Sequence, residues 1–481
     1  MDNHPTRTVR VFVILLIVIN ASLAIYSTPI TDHADASAYI LLSKVLIGEA
    51  EADLASRSPL LSIIMAGFML ILSPPVTFKA VILFHYILVG ITSFLVFLIF
   101  KPLFEDVRFP ILIGLMFNLS LSTIYLANII MTEILAAFLL VMSVYWLLKI
   151  DNKFNYQDML ILGLLVGLVS LASFNVVPII VPFTLLFGYI VYRQNIPMVK
   201  WVYPFTVFII PYALVVNLWC VYNYHNNGFY GLFPGNVDGV SRNITVASIR
   251  PENKVSEEYE PVLEIFLDAR AKYLESLSTT TLKGSLYKLD KFNFLTDLYS
   301  GYIIYKIAQK ELYEYFQIDR AQGTYDLNQA LGGFYHEIVN QNKSFIWKYR
   351  FVSFFSGFRA GPTSLPAKYG NINTNILPNI IFMLYKIGII MISLFVFFSF
   401  FIFVINTIKN KIRPNISLLI VFIIILSFWG INFYFVTEAN ANRYKFPAEP
   451  IIFGIFIYYV YEGLNWFKAK FNKTPLKGEY T

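Results

Sequence analysis

A chain of 481 residues that is 57% hydrophobic and 14% charged, with a mean hydropathy of +0.62, cannot clothe a water-facing surface of normal size; soluble domains carry about 25% charged residues. That composition excludes a soluble enzyme, a nucleic-acid binder, a disordered chain and a single-anchor receptor. The net charge of +7 fits basic cytoplasmic loops rather than a nucleic-acid partner, and the single cysteine, Cys220, excludes an intrachain disulfide and a cysteine-rich metal site.

In chain order, a short basic start (Arg7, Arg10) leads into an apolar run over 11–26, long enough to span rather than to serve as a cleaved signal peptide. Further runs follow at 76–100, 109–128, 131–149, 159–175, 177–192, 201–223, 376–405, 416–435 and 450–467, which makes about ten membrane helices. The stretch 59–72 is too short to span and ends at Ser73-Pro74-Pro75, so it reads as a juxtamembrane or re-entrant helix. Alternate loops are basic: 101–108, 149–158, 192–200, 406–415 and the tail with Lys468, Lys470, Lys473 and Lys477. Both termini are therefore expected inside. The chain divides into a membrane module over 1–223, an extracytoplasmic domain over 224–375 and a second membrane module with a basic tail over 376–481. The fold class expected is an all-α polytopic membrane protein with a mixed, mostly helical outer domain. Within that domain 261–279 reads as an amphipathic helix with Val262, Ile265, Phe266, Ala269, Tyr273 and Leu274 on its apolar face.

Ionisable residues beside membrane spans are functional candidates, because hydrocarbon penalises each by a few kcal/mol. Four clusters qualify, all on the outer side. The first holds Asp32, His33, Asp35 and Tyr39 after the first span. Asp35 and Tyr39 sit one helical turn apart on one face, while Asp32 also suits a helix N-cap. The second is Arg57-Ser58-Pro59, where the guanidinium either snorkels to the interface or holds a phosphate bidentately. Thr132-Glu133, opening the fourth span, is the third; a carboxylate is electrostatically comfortable at a helix N-terminus. The fourth is 437–450, where Arg443-Tyr444 is followed by Pro447 and Pro450. No Gly-x-x-x-x-Gly-Lys-Ser/Thr loop, His-Glu-x-x-His motif or Gly-x-Ser-x-Gly elbow occurs.

Taken together, Asp35-Ala-Ser-Ala-Tyr39, an Ala- and Leu-rich helix ending at Gly48, Arg57-Ser-Pro59, Thr132-Glu133 and Arg443-Tyr444-x-x-Pro447-x-x-Pro450 resemble the GT-C membrane glycosyltransferases, which include protein O-mannosyltransferases and lipid A aminoarabinose transferases. A Trp-x-x-Arg-Asn motif of that family appears as Trp219-Cys-Val-Tyr222-Asn223, with Tyr222 in the place of the Arg. The resemblance implies an enzyme of the bacterial inner membrane that moves a hexose or pentose from a polyprenyl-phosphate donor to a hydroxyl of a glycolipid, polysaccharide or protein, with inversion. By the same resemblance Asp35 is the general base, Glu133 a second acid of the site, and Arg57 and Arg443 hold the leaving phosphate. Tyr39, Tyr444, Asp32, Lys44 and Lys79 complete the expected substrate-binding set. A divalent cation, Mg2+ or Mn2+, between Asp35 and Glu133 is left open, since some members use one and others none.

Two other readings compete. A polysaccharide polymerase or O-antigen ligase would rely on basic outer-loop residues, without an essential Asp after the first span. A transporter or flippase would place ionisable residues at mid-depth on paired broken helices, whereas the candidates here gather at the outer interface.

Overall fold

The computed structural model describes residues 4–31, 34–51, 57–232, 239–279, 293–318, 323–347, 350, 376–410, 415–435 and 446–471. Among these the chain is helical, and no strand forms beyond an isolated parallel bridge between Ile30 and Ile129.

Among the described residues six helical stretches are long and apolar enough to cross a membrane: Arg7–Tyr26, Pro74–Leu103, Glu133–Asn152, Val176–Arg193, Met198–Asn227 and Met383–Lys409. They correspond to the runs 11–26, 76–100, 131–149, 177–192, 201–223 and 376–405. The run 109–128 is not one straight helix. It breaks into α5 (Arg108–Asn118) and α6 (Leu121–Ala127), bent by 48°, and makes a seventh crossing if the pair counts as one. The break has a local cause: Ser120 is extended, and its hydroxyl accepts the Thr123 N–H at 3.1 Å, which caps a new helix. Tyr156–Ala172 and Ile416–Gly430 are shorter apolar helices, as is Leu60–Met69, in keeping with a segment too short to span. The run 450–467 lies within a final helix, Glu449–Phe471, which carries Glu449, Glu462 and Lys468 and is not among the six. The protein is thus a multi-pass membrane protein, helical over its described residues.

The bundle is built from α1 (His4–Tyr26), α4 (Pro74–Phe100), α7 (Glu133–Asn152), α8 (Tyr156–Ala172) and α10 (Val202–Asn227), with α2 (Ala34–Leu46) and the ten-residue α3 (Leu60–Met69) packed across one end. One continuous apolar core of Leu, Ile, Val and Phe joins these helices to the C-terminal ones. Between apolar helices there is no hydrophobic drive to associate, so close backbone packing matters more. Gly163 and Gly167 of α8, four residues apart, supply it: a Cβ at Gly163 would overlap the Phe208 carbonyl of α10, and one at Gly167 would come within 3.0 Å of Val215. At the far end of the bundle Arg193 pairs with Asp151 at 2.9 Å and Lys149 with Asp158 at 2.7 Å, joining the ends of neighbouring helices.

The described residues between 239 and 341 build a separate helical unit with its own core. Its helices are α11 (Gly239–Ser248), α12 (Glu260–Thr279), α13 (Asn293–Tyr315), α14 (Gly323–Ala330) and α15 (Gly332–Gln341). Val246, Val262, Phe266, Leu312, Phe334 and Tyr335 are fully or almost fully buried in it, distinct from the membrane core. The apolar stripe expected on α12 is present at Val262, Phe266, Ala269 and Tyr273, but Leu274 is 48% exposed. It lies one step, about 100°, round the helix from Tyr273.

The α8–α10 contact can be checked directly. Gly163→Ala should lower the thermal unfolding midpoint in detergent, because overpacking at a tight contact costs about 1–3 kcal/mol and outweighs the gain of about 0.5–1 kcal/mol in helix propensity. Gly67→Ala, where an added Cβ meets nothing within 4 Å, should leave the midpoint unchanged or raise it.

Candidate functional site

The site lies at the end of the bundle where α1 ends and α4 and α7 begin. Here the chain segment after α1 and the loop before α7 are stitched together. The Ile30 N–H donates to the Asn128 carbonyl at 2.8 Å, alongside the Ile30–Ile129 bridge. The Tyr86 hydroxyl of α4 stands 3.1 Å from the Ser27 hydroxyl and donates to Asn128 Oδ1 at 3.3 Å. The loop 127–132 is buried throughout, so each such hydrogen bond spares an otherwise stranded polar group.

On this frame α2 is held by its own backbone. The carbonyl of Tyr39 accepts the hydroxyls of Ser43 at 2.8 Å and of Ser62 of α3 at 3.0 Å. Ser58, just before α3, accepts the N–H of Phe174 at 3.0 Å. Those contacts place Arg57 beside α2, and its Nη1 donates to Asp35 Oδ1 at 2.7 Å. The pair sits at the boundary, with side chains 33% and 16% exposed respectively. One turn along α2, Tyr39 is 8% exposed, and its hydroxyl lies 3.5 Å from Thr132 Oγ1. Burial first, and then the nearby Glu133 carboxylate, push that hydroxyl up to about 12. Tyr39 is therefore a neutral donor at physiological pH. Glu133 is 8% exposed in the first turn of α7, where the helix dipole favours its charge.

Asp35, Tyr39, Arg57 and Thr132-Glu133, from three separate parts of the chain, thus converge. The other expected residues fare differently. Asp32, Arg443 and Tyr444 lie outside the described residues. Lys79 donates to the carbonyls of Ile25, at 3.0 Å, and Ser27, which satisfies the open end of α1. Lys44 stands nine residues beyond Asp35 on a continuous helix, half a turn round from it. The Trp219-x-x-x-Asn223 pattern works on the chain itself: Trp219 Nε1 donates to the Leu232 carbonyl at 3.1 Å, and Asn223 Nδ2 to that of Gly231 at 2.7 Å. Tyr222 stacks on the Trp219 ring at 4.6 Å.

Several polar groups in or near the bundle were not singled out in the sequence. His85 of α4 is fully buried with Nδ1 3.2 Å from the Ala127 carbonyl. Tyr385 donates to Ser122 Oγ at 2.7 Å. A signal existed for both, namely a polar residue inside a long apolar run. Glu449, inside the 437–450 cluster that the sequence did mark, is 1% exposed within electrostatic range of Tyr385.

Among the described residues no group of three His, Cys, Asp or Glu side chains gathers in a metal-holding arrangement. Asp35 Oδ1 accepts from the Arg57 guanidinium, and no step below runs through a metal. No protein-family model matches the chain, and no curated protein matches its sequence.

The ion pair gives a direct test of this geometry. Arg57→Gln should destabilise the protein by about 1–2 kcal/mol, less than the 3–5 kcal/mol typical of a fully buried pair, because the Arg is one-third exposed. Adding Asp35→Asn should recover part of that loss, since the carboxylate that loses its guanidinium is then gone. Thermal or denaturant midpoints of the two variants against wild type read the difference.

Proposed function

We propose that the protein is an integral-membrane glycosyltransferase that moves a sugar from a polyprenyl-phosphate donor to an acceptor hydroxyl, with Asp35 as general base. The observation that supports this reading most is the convergence of Asp35, Arg57, Tyr39 and Glu133 at one end of an otherwise apolar bundle. A donor with a lipid tail needs an apolar body beside a few fixed polar groups, and that is the composition of this end.

In the proposed reaction an Asp35 carboxylate oxygen takes the acceptor O–H proton as the acceptor oxygen bonds to the anomeric carbon. The bond from that carbon to the donor phosphate oxygen breaks on the opposite face, and the polyprenyl phosphate leaves with the electron pair, so the sugar is inverted. Arg57 has two tasks. It fixes the direction of the Asp35 carboxylate through Oδ1 and supplies positive charge for the leaving phosphate. Tyr39, as a neutral donor beside Glu133, orients substrate hydroxyls. Glycolipids, polysaccharides and proteins all carry hydroxyls of the required kind, and the site leaves open which one arrives.

The reading carries a topology: about ten crossings, both termini in the cytoplasm of a bacterial inner membrane, and the 224–375 domain outside. In its support, α8 with 17 residues and the final helix with 23 come close to or exceed the roughly 20 residues a crossing needs. With Cys220 replaced by Ala, an impermeant thiol reagent added outside should label Glu252→Cys and miss Lys409→Cys, both exposed positions. The reverse pattern would overturn the topology.

The chemical test is single-turnover sugar transfer in nanodiscs. Asp35→Asn should slow transfer by about 10²–10⁴-fold while donor binding changes far less. Asp32→Asn, read from the sequence as a helix N-cap exchange, should stay within a few-fold of wild type. Wild-type transfer by Asp35→Asn would remove the proposed base.

A further inference from the structure

The end of the bundle opposite Asp35 holds a cavity of about 640 Å³ where the start of α8, the segment 195–200 and the start of α10 meet. Tyr156, Asn195, Val199, Lys200, Val202 and Tyr203 are among its walls. The loop that forms the rim has a fixed shape. The Asn195 N–H donates to the Tyr192 carbonyl at 3.0 Å, with Asn195 in the left-handed region at φ +54°. The Lys200 N–H donates to the Pro197 carbonyl at 2.8 Å, and the Trp201 indole to that of Ile196 at 2.8 Å. The rings of Tyr156 and Tyr203 meet edge to face at 4.7 Å and tie α8 to α10.

Two features define the medium and the charge that this cavity meets. Met198 and Val199, at the tip of the loop, are 76% and 90% exposed. Bare apolar side chains on a connecting loop suit acyl chains, and Trp201 with the two tyrosines belongs to the residue types that gather at headgroup level. Lys200 is the only charged residue in the walls. The nearby Arg193 is already paired with Asp151 at 2.9 Å, whereas among the described residues no ion pair engages the Lys200 ammonium. An ammonium with no carboxylate in the same cavity attracts a phosphate and repels the cation of a choline or ethanolamine headgroup. The two phenol hydroxyls and the Asn195 amide supply donors and acceptors for a headgroup that carries hydroxyls of its own.

We propose that this corner is a seat for one anionic phospholipid, a phosphatidylglycerol, with its phosphate on Lys200, its glycerol hydroxyls among Tyr156, Asn195 and Tyr203, and its acyl chains along Met198 and Val199. The seat stands apart from the transfer reading and holds whether or not the chain transfers a sugar. A lipid placed there touches α8, the 195–200 loop and α10 at once, and so clamps their junction.

The experiment uses the full chain in detergent and counts bound lipid by native mass spectrometry. The probes are dioleoyl phosphatidylglycerol, dioleoyl phosphatidylcholine and inorganic phosphate. Phosphatidylglycerol should bind about fivefold tighter than phosphatidylcholine, the share of one basic residue at an anionic surface. Lys200→Gln should remove that preference and Lys200→Arg should keep it. Tyr156→Phe combined with Tyr203→Phe, which leaves rings and charge in place, should weaken phosphatidylglycerol more than phosphatidylcholine. Lys153→Gln removes an exposed cation at the same end but outside the cavity walls, and it should change neither affinity. Lys200 is itself exposed, so its exchange leaves the fold intact, which an unchanged thermal midpoint without added lipid checks. Equal affinities of the two lipids for wild type, or an unchanged preference in Lys200→Gln, would overturn the proposal. Equal losses in Lys200→Gln and Lys153→Gln would overturn it as well, by marking diffuse attraction in place of a seat. Inorganic phosphate that displaces the lipid at equal concentration would do the same, since a lipid seat draws on the acyl chains too.

Discussion

Ionisable groups at the edge of an apolar bundle must find partners, and the Asp35–Arg57 pair meets that constraint for this end of the molecule. Its two halves lie 22 residues apart in the chain and meet at 2.7 Å only because α2 and α3 are fastened together first. The fastening is done by the Ser62 hydroxyl on the backbone carbonyl of Tyr39, a residue whose own hydroxyl lies 3.5 Å from Thr132 Oγ1. Position and chemistry are thus coupled: the residue that anchors the two short helices is the one that faces the buried acid. A change at Ser43 or Ser62 would act on the site without touching a substrate.

Much of this end was legible in the sequence because hydrocarbon makes polar residues conspicuous. Asp35, Arg57 and Glu133 stand out against apolar runs, and the one-turn spacing of Asp35 and Tyr39 implies a shared face. Lys79 stood out equally but closes a helix end, since a lysine beside free carbonyls and a lysine beside a phosphate look alike in one dimension.

The same contrast holds for the fold. Long apolar helices were readable from length and hydropathy, and the ten-residue helix α3 was too short to span, as its length implied. The bend between α5 and α6 was hidden inside a run of uniform hydropathy, where a single serine cap redirects the chain. Hydropathy reports what solvent a segment prefers and is silent on its direction. The Trp219 and Asn223 pattern illustrates the complementary point: both side chains spend their donors on the turn that follows α10, so a pattern read from the sequence as a family resemblance serves here as local architecture.

That turn gives α10 a mechanical character. The helix has 26 residues, and at 1.5 Å per residue it is about 39 Å long, against an apolar bilayer thickness of about 30 Å. It ends at Gly228 with φ +74°, a left-handed cap, and the chain is then clamped back onto the last turn by Trp219 and Asn223. A long helix with a clamped tip converts tilt into displacement even with Pro211 in its interior: a few degrees of inclination moves the tip by a few ångströms. Lipid composition, through the thickness it imposes, therefore sets the height from which residues 229–232 start, and membranes of different thickness would present the same chain with differently poised outgoing segments.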